Sequence, residues 1–167
     1  MADDLPPEPV TADPLAGPSP FSPPRPTRPR RWDVALVVAA GGAIGGGCRY
    51  GVNQLLPTPA GGFPWSTFLE NVSGCFLLAI VSVFLLEVLP PHRYARPFLG
   101  VGILGGYTTF STYTSDARVL LQAGEGPTAI AYLFATVAVG LLAVIAGLSA
   151  TRVLTGVTPP HKRRERP

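Results

Sequence analysis

Four apolar segments, each long enough to cross a lipid bilayer, constrain this chain more than any other feature of its sequence. They cover about residues 33–56, 66–89, 98–121 and 127–154, and a transmembrane helix needs about 20 residues. Only 14% of the residues are charged, whereas soluble domains carry about 25%. We therefore predict an all-α, multi-pass protein of the cell membrane, with four transmembrane helices in a domain covering residues 32–155.

The two ends of the sequence lie outside this domain and differ in character. Residues 1–31 contain ten of the 20 prolines and few large apolar side chains. Such a segment buries too little surface to offset the entropy of ordering, so it is predicted to be disordered. Residues 156–167 are rich in lysine and arginine and are predicted to form a basic C-terminal tail.

Residues typical of catalysis or of zinc binding are scarce. Cys48 and Cys75 lie in apolar runs and form no C-x-x-C pair, while His92 and His161 are far apart in the sequence. Because no pair of catalytic groups stands out, we do not expect an enzyme, and nothing in the sequence indicates a nucleic-acid partner.

The first segment combines closely spaced glycines with one arginine. Arg49 stands inside the segment, where an arginine is costly and usually faces water or an anion; the alternative is a side chain that extends to the membrane surface. The G-x-x-x-G spacings allow helix backbones to approach closely in lipid and predict tight helix packing. The glycines concerned are Gly41, Gly42, Gly45, Gly46, Gly47 and Gly51.

Polar side chains also interrupt the second and fourth segments. Asn71 either forms a hydrogen bond with a neighbouring helix or offers its amide group to a pore, and Glu70 stands beside it. In the fourth segment Tyr132 and Thr136 are one helical turn apart and therefore share a face.

The third segment carries the most unusual pattern. Its middle, residues 105–116, contains two glycines and six serines or threonines and reads GGYTTFSTYTSD. Hydroxyl groups that bond back to their own helix explain one or two such residues, but not six. The pattern predicts a broken helix, which a membrane protein tolerates only where the backbone is buried in protein or lines a cavity. Unwound carbonyl groups in such breaks can bind a cation.

Taken together, these motifs closely resemble the CrcB/Fluc family of fluoride channels. The matching pieces are Gly42 to Tyr50, the L-x-N-x-x-G-x-F pattern from Leu69 to Phe76, and the GGYTTFSTY run from Gly105 to Tyr113. The resemblance covers about residues 33–155 and leaves both tails outside it.

The resemblance implies an antiparallel dimer with two pores that lets fluoride leave the cytoplasm passively and so reduces fluoride toxicity. It also implies a structural sodium ion at the dimer centre, held by the backbone carbonyls of Gly105 and Thr108 and not transported. Arg49 matches the basic residue of the vestibule. The fluoride path corresponds to Asn71, Phe110, Ser111, Thr112, Tyr113, Tyr132 and Thr136.

A pore for fluoride is also chemically reasonable for these residues. Fluoride is small and strongly hydrated, so a pore must replace its water with hydrogen-bond donors or with the positive edges of aromatic rings. Amide and hydroxyl groups meet that need in a neutral, selective path.

Three positions depart from the family pattern. Tyr113 stands where phenylalanine is usual; tyrosine keeps the aromatic ring edge and adds a hydroxyl group. Asp116 replaces a glutamate, and Glu70 replaces an apolar residue beside Asn71. A negative charge at Glu70 would lie near an anion path.

Two other functions are compatible with four apolar helices. A small multidrug/proton exporter would need a carboxylate inside the membrane, which Glu70 or Glu87 could supply. A membrane scaffold that transports nothing would leave the polar groups of the second and third segments without a purpose.

The positive charges predict an orientation. Of the 13 lysines and arginines, eleven lie in the two tails, the linker between the second and third segments, or the end of the fourth, and two (Arg49 and Arg118) lie towards the other side. Such a bias places both termini in the cytoplasm. An antiparallel dimer needs one subunit in each orientation, so the partner is either a second copy of this chain or an oppositely oriented paralogue.

Overall fold

The computed structural model describes residues 32–157, and this part of the chain is helical without a β-strand. The predicted disordered segment 1–31 and most of the predicted basic tail lie outside the described residues. The α-helices of the described part are α1 (Trp32–Leu55), α2 (Trp65–Val83), α3 (Gly105–Tyr107), α4 (Phe110–Gln122) and α5 (Gly126–Thr155). The described residues also include two π-helical segments: Phe84–Val88 continues α2, and Arg96–Leu104 leads directly into α3.

Three of the four predicted spans are continuous helices. Trp32–Leu55, Trp65–Val88 and Gly126–Thr155 are each long and apolar enough to cross a membrane. The third span is divided into a first half, Arg96–Tyr107, and a second half, α4. The all-helical membrane fold with a break in the third helix is therefore confirmed.

The break has a clear backbone origin. Thr108 (φ −79°, ψ 159°) and Thr109 (φ −151°, ψ 127°) are extended, so the helix stops after Tyr107 and restarts at Phe110. The Thr109 side chain caps the restarted helix by accepting a hydrogen bond from the backbone N–H of Thr112 at 3.1 Å. A threonine at this position is a good N-cap because its oxygen satisfies a donor that has no partner within the helix.

The first half of the third span packs against α1 at backbone distance. A Cβ atom added at Gly41 would lie 2.6 Å from the carbonyl oxygen of Phe98, and one at Gly106 would lie 2.6 Å from that of Gly42. Gly45 is equally restricted by the backbone of Ile103. The predicted role of the α1 glycines in close packing is therefore confirmed for the face of α1 that meets the third span.

Other glycines of α1 do not take part in this contact. A Cβ atom at Gly46, Gly47 or Gly51 would meet no described atom within 4 Å. The close contact therefore involves one stripe of α1, and Gly46, Gly47 and Gly51 lie outside it.

Large apolar side chains lie mostly outside the bundle. Leu141, Leu142 and Ile145 of α5 are more than half exposed, whereas the buried residues include small ones such as Ala79, Ala117 and Ala129. This distribution fits a protein whose outer surface meets lipid, since lipid tails solvate apolar side chains as well as a protein core does.

Ion pairs fasten the membrane-boundary ends of the helices. Asp33 at the start of α1 accepts from Arg93 at 2.7 Å and from the hydroxyl of Tyr94 at 2.8 Å, which ties the linker before the third span to α1. Because this hydrogen bond holds the phenol proton, the pKa of Tyr94 lies above its usual value. Arg152 of α5 binds Glu87 through two nitrogens, at 2.7 and 3.1 Å.

Candidate functional site

Asn71 connects α2 to the break in the third span through two hydrogen bonds. Its Nδ2 donates to the backbone carbonyl of Thr109 at 3.0 Å, and its Oδ1 accepts from the backbone N–H of the same residue at 2.9 Å. The side chain therefore acts as a substitute for a peptide partner. It satisfies both backbone groups of an extended residue that is only 7% exposed.

The same arrangement leaves the carbonyl groups before the break, including those of Gly105 and Thr108, without their helical donors. In a continuous helix the N–H of Thr109 would donate to Gly105, and that of Thr112 would donate to Thr108. Here these N–H groups donate to Asn71 and to the Thr109 hydroxyl instead. The carbonyls of Gly105 and Thr108 are the two for which the family resemblance implies a sodium ion, and oxygen atoms freed in this way suit a hard cation.

The hydroxyl groups around the break form a small network centred on Thr109. Besides capping α4, the Thr109 hydroxyl donates to Oγ1 of Thr112 at 3.0 Å and lies 3.3 Å from Oγ of Ser111. Thr108 and Thr114, by contrast, donate back to carbonyls of the preceding turn. Two of the six hydroxyl residues therefore show the simple back-bonding pattern, as expected.

A cavity of about 470 Å³ opens beside the break. Its walls are mostly apolar, and they include Leu78, Leu104, Val137 and Leu141. Six of the predicted site residues line it, namely Gly105 and Thr108 with Asn71, Phe110, Tyr113 and Thr136. The structure therefore brings the two predicted carbonyls and four of the predicted path residues to one cavity.

Two aromatic rings face each other at this cavity. The ring centroids of Phe110 and Tyr113 are 5.9 Å apart, and Phe110 is 78% exposed in the single chain. The hydroxyl of Tyr113 donates to the carbonyl of Leu133 at 2.8 Å. The extra hydroxyl at this position is thus occupied by the backbone of α5, which fixes the ring. The ring also packs against Tyr132, with their centroids 5.3 Å apart.

Three of the four remaining predicted path residues lie away from the cavity wall. Tyr132 is fully buried, and its hydroxyl points to Oδ2 of Asp116 at 3.4 Å, an oxygen that also accepts from Thr67 at 2.7 Å. Thr136 lines the cavity, but its hydroxyl donates to the carbonyl of Tyr132 within its own helix. The residues Tyr132, Ser111 and Thr112 are outside the cavity lining.

Arg49 also lies outside this cavity, towards the end of α1. Its backbone carbonyl accepts from Nδ2 of Asn53 at 3.0 Å, and the same Nδ2 donates to Oε1 of Glu70 at 2.7 Å. Glu70 is completely buried between the helices. The two carboxylates considered for an exporter therefore differ, since Glu87 is ion-paired with Arg152 while Glu70 meets an amide.

Sequence reasoning assigned no site role to Asn53, Thr67 or Thr109. Asn53 and Thr67 are polar residues in predicted membrane spans, and this alone was a signal that they have partners there. Thr109 was recognised only as a member of the hydroxyl-rich motif. Its role as the residue that both caps α4 and receives Asn71 depends on the extended backbone, which a pattern of residue types does not specify.

Fold and site together define a class of protein: a small helical membrane protein whose third span is broken at a polar, hydroxyl-rich centre beside a cavity. The sequence profile described as "CrcB-like protein, Camphor Resistance (CrcB)" matches residues 36–148. The chain therefore belongs to the CrcB family.

Several curated relatives cover most of this chain. It is 51% identical over 122 residues to "Fluoride-specific ion channel FluC 1" of Streptomyces coelicolor, covering 72% of this chain and 79% of the relative. It is 44% identical over 123 residues to "Fluoride-specific ion channel FluC 2" of Nocardia farcinica, covering 74% and 88%. Identity to "Fluoride-specific ion channel FluC" of Rhizobium meliloti is 42% over 120 residues, covering 71% and 96%.

Proposed function

We propose that this chain is a fluoride-specific ion channel, not an enzyme, which lets fluoride leave the cytoplasm passively and so reduces its toxicity. The observation that carries the proposal is the meeting of Asn71, Phe110 and Tyr113 at one cavity beside the helix break. The names of the relatives at 42–51% identity support the choice of fluoride.

The groups at the cavity match the chemistry of a small, strongly hydrated anion. An asparagine amide has two donor hydrogens, and Asn71 uses one on the carbonyl of Thr109. Its second N–H is available to replace a water of the ion. The ring edges of Phe110 and Tyr113 add positive electrostatic potential without placing a charged side chain in the path.

We place the remaining predicted residues around this centre. Ser111 and Thr112 contribute hydroxyls next to Thr109, and Tyr132 and Thr136 continue the path along α5. Arg49, towards the end of α1, attracts the anion electrostatically in the vestibule.

A structural sodium ion fits the freed carbonyls of Gly105 and Thr108. These oxygens have lost their helical donors, and backbone carbonyls in broken helices are suitable cation ligands. When bound, sodium would supply a fixed positive charge near the centre of the assembly. Side chains of the protein stabilise the helix break: Asn71 forms hydrogen bonds with the backbone of Thr109, and Thr109 is the N-cap of α4.

The proposed assembly is an antiparallel dimer in the plasma membrane. Phe110 is largely exposed and the cavity beside it is open in one subunit, so a second subunit would complete the enclosure. Eleven of the 13 positive charges favour one orientation with both termini in the cytoplasm. We therefore favour an oppositely oriented paralogue as the partner over a second copy.

Cysteine labelling tests this orientation. Single cysteines at Ser22 and Ala60 would be introduced after replacement of Cys48 and Cys75, and labelled with a membrane-impermeant reagent on intact cells. A fixed orientation predicts labelling of Ala60 alone. Partial labelling of both sites would show insertion in both directions and would support the homodimer.

Fluoride efflux from proteoliposomes, followed with a fluoride electrode, tests the channel itself. A channel releases fluoride rapidly without moving protons in fixed proportion, an exporter couples the two movements, and a scaffold releases nothing. Phe110→Ile should lower the rate because it removes the ring edge. Phe134→Ile is the matched control, since Phe134 is also exposed, at 74%, but is not part of the cavity lining.

A further inference from the structure

Glu70 is a buried carboxyl group with only half of its hydrogen-bonding capacity used. The residue is 0% exposed, and its Oε1 accepts from Nδ2 of Asn53 at 2.7 Å. Its Oε2 is also inaccessible, and no donor in the described part of the chain reaches it. Among residues 32–157, this oxygen therefore reaches neither the solvent-accessible surface nor a hydrogen-bond donor.

The groups around Glu70 do not form an ion pair with it. α1 supplies Asn53 and the charge of Arg49, and α4 supplies the charge of Asp116. Asp116 is itself held by the hydroxyls of Thr67, one turn before Glu70 on α2, and Tyr132 on α5. Within residues 32–157, the ion pairs found join Arg93 to Asp33 and Arg152 to Glu87.

The physical cost of ionising Glu70 follows from this geometry. A buried carboxylate is unfavourable unless it is paired and hydrogen-bonded, and here one oxygen has no partner while a second acid, Asp116, acts on it from α4. The charge of Arg49 opposes these effects, but in the described part of the chain Arg49 forms no ion pair with Glu70. A proton on Oε2 removes the charge and needs no additional space. A metal ion would need room and several ligands, and Oε2 is already enclosed by protein.

We propose that Glu70 is a proton-binding site, occupied in the described conformation, and that loss of this proton slows fluoride passage. The second half of the proposal rests on the proposed function. Ionised Glu70 would add a second negative charge close to Asp116, which accepts hydrogen bonds from Thr67 and Tyr132. Glu70 is also next in sequence to Asn71, which lines the cavity. A unit charge on the order of 10 Å from the path should slow an anion about tenfold at the effective dielectric constant of a protein.

Infrared spectroscopy of the purified protein tests the proton directly and without measuring transport. Wild-type protein at neutral pH should show the C=O band of a protonated carboxyl group, and Glu70→Gln should lack this band. Glu87→Gln is the matched control and should keep it, because Glu87 is ionised beside Arg152. A band that persists in Glu70→Gln would place the proton elsewhere and overturn the proposal.

A second variant keeps the test decisive if Glu70→Gln does not fold. Asn53→Leu retains Glu70 and removes the hydrogen bond to Oε1. The carboxyl band should then shift in frequency, because the C=O group loses its donor. An unchanged band would contradict the assignment to Glu70.

Fluoride efflux as a function of pH tests the consequence. The wild-type rate should fall about tenfold from mildly acidic to alkaline pH, whereas Glu70→Gln should keep its rate throughout. Equal rates at all pH values in the wild type would refute the effect on fluoride. Absence of fluoride efflux at every pH would refute the proposed function instead, and the infrared result would still decide whether Glu70 holds a proton.

Discussion

Replacing Asn71 with leucine separates the proposed fluoride path from ordinary helix packing. The variant removes the donor to the Thr109 carbonyl and the acceptor for the Thr109 N–H, at 3.0 and 2.9 Å. It also removes the second N–H, which we assign to the ion. Leucine is similar in size, so the change is mainly one of hydrogen bonding.

The expected magnitude follows from counting the lost bonds. A buried backbone group left without a partner costs about 1–3 kcal/mol, although hydrogen bonds between membrane helices average only about 0.6 kcal/mol in measured cases. The loss of stability should therefore be modest. A hydrogen bond to a charged group contributes about 1.5–3 kcal/mol, which corresponds to at least a tenfold decrease in rate.

Two further variants make the result interpretable. Asn71→Asp keeps an acceptor for the Thr109 N–H but turns an oxygen towards the Thr109 carbonyl and adds a negative charge, so it should also lose efflux. Thr114→Val is the control, because the Thr114 hydroxyl donates only to the preceding turn and is exposed. Fluoride efflux and thermal unfolding in detergent would be measured for each. Wild-type efflux in Asn71→Leu would refute the assignment of Asn71 to the path.

Further substitutions test the assembly and the helix ends. Gly105→Val should abolish dimer assembly or efflux, although the subunit should still fold because a Cβ atom there meets one described atom, at 4.0 Å. Gly106→Val should prevent folding of the subunit, because its Cβ would lie 2.6 Å from the carbonyl oxygen of Gly42. Normal efflux in Gly105→Val would contradict the central sodium site. Arg152→Ala should lower the thermal unfolding midpoint by leaving Glu87 half-buried without its partner, and the charge-exchanged pair Glu87→Arg with Arg152→Glu should recover part of it. The raised pKa of Tyr94 predicts that its hydrogen bond to Asp33 stabilises the fold below about pH 10. This contribution is lost as the pH rises through the pKa of Tyr94 in the folded state. Tyr94→Phe should therefore remove that part of the alkaline destabilisation in a series of thermal unfolding measurements.

The architecture could be predicted from the sequence because the bilayer imposes simple requirements. Length and hydropathy specify α1, α2 and α5, and the G-x-x-x-G spacing specifies close packing in lipid. The structure adds which glycines are used. Gly41 and Gly45 meet the third span, whereas Gly46 and Gly47 lie outside the contact, because the choice depends on how α1 is rotated against its neighbour.

The break was predictable for the same reason. Glycines and six serines or threonines in one span are difficult to explain in an unbroken lipid-facing helix. The position of the break, at Thr108 and Thr109, was not specified by composition. It depends on Asn71, 38 residues earlier, which satisfies both backbone groups of Thr109.

The two polar groups of α2 illustrate what residue type alone does not decide. Asn71 and Glu70 are adjacent in sequence, but successive positions of a helix face directions about 100° apart. Asn71 therefore reaches the break, while Glu70 reaches Asn53 of α1. The sequence indicated a charge close to an anion path, whereas the structure places that carboxyl among Asn53, Arg49 and Asp116. Protonation is then the property that determines how Glu70 affects an anion, because a neutral carboxyl group at this position leaves the electrostatics of the path to the amide and the aromatic rings.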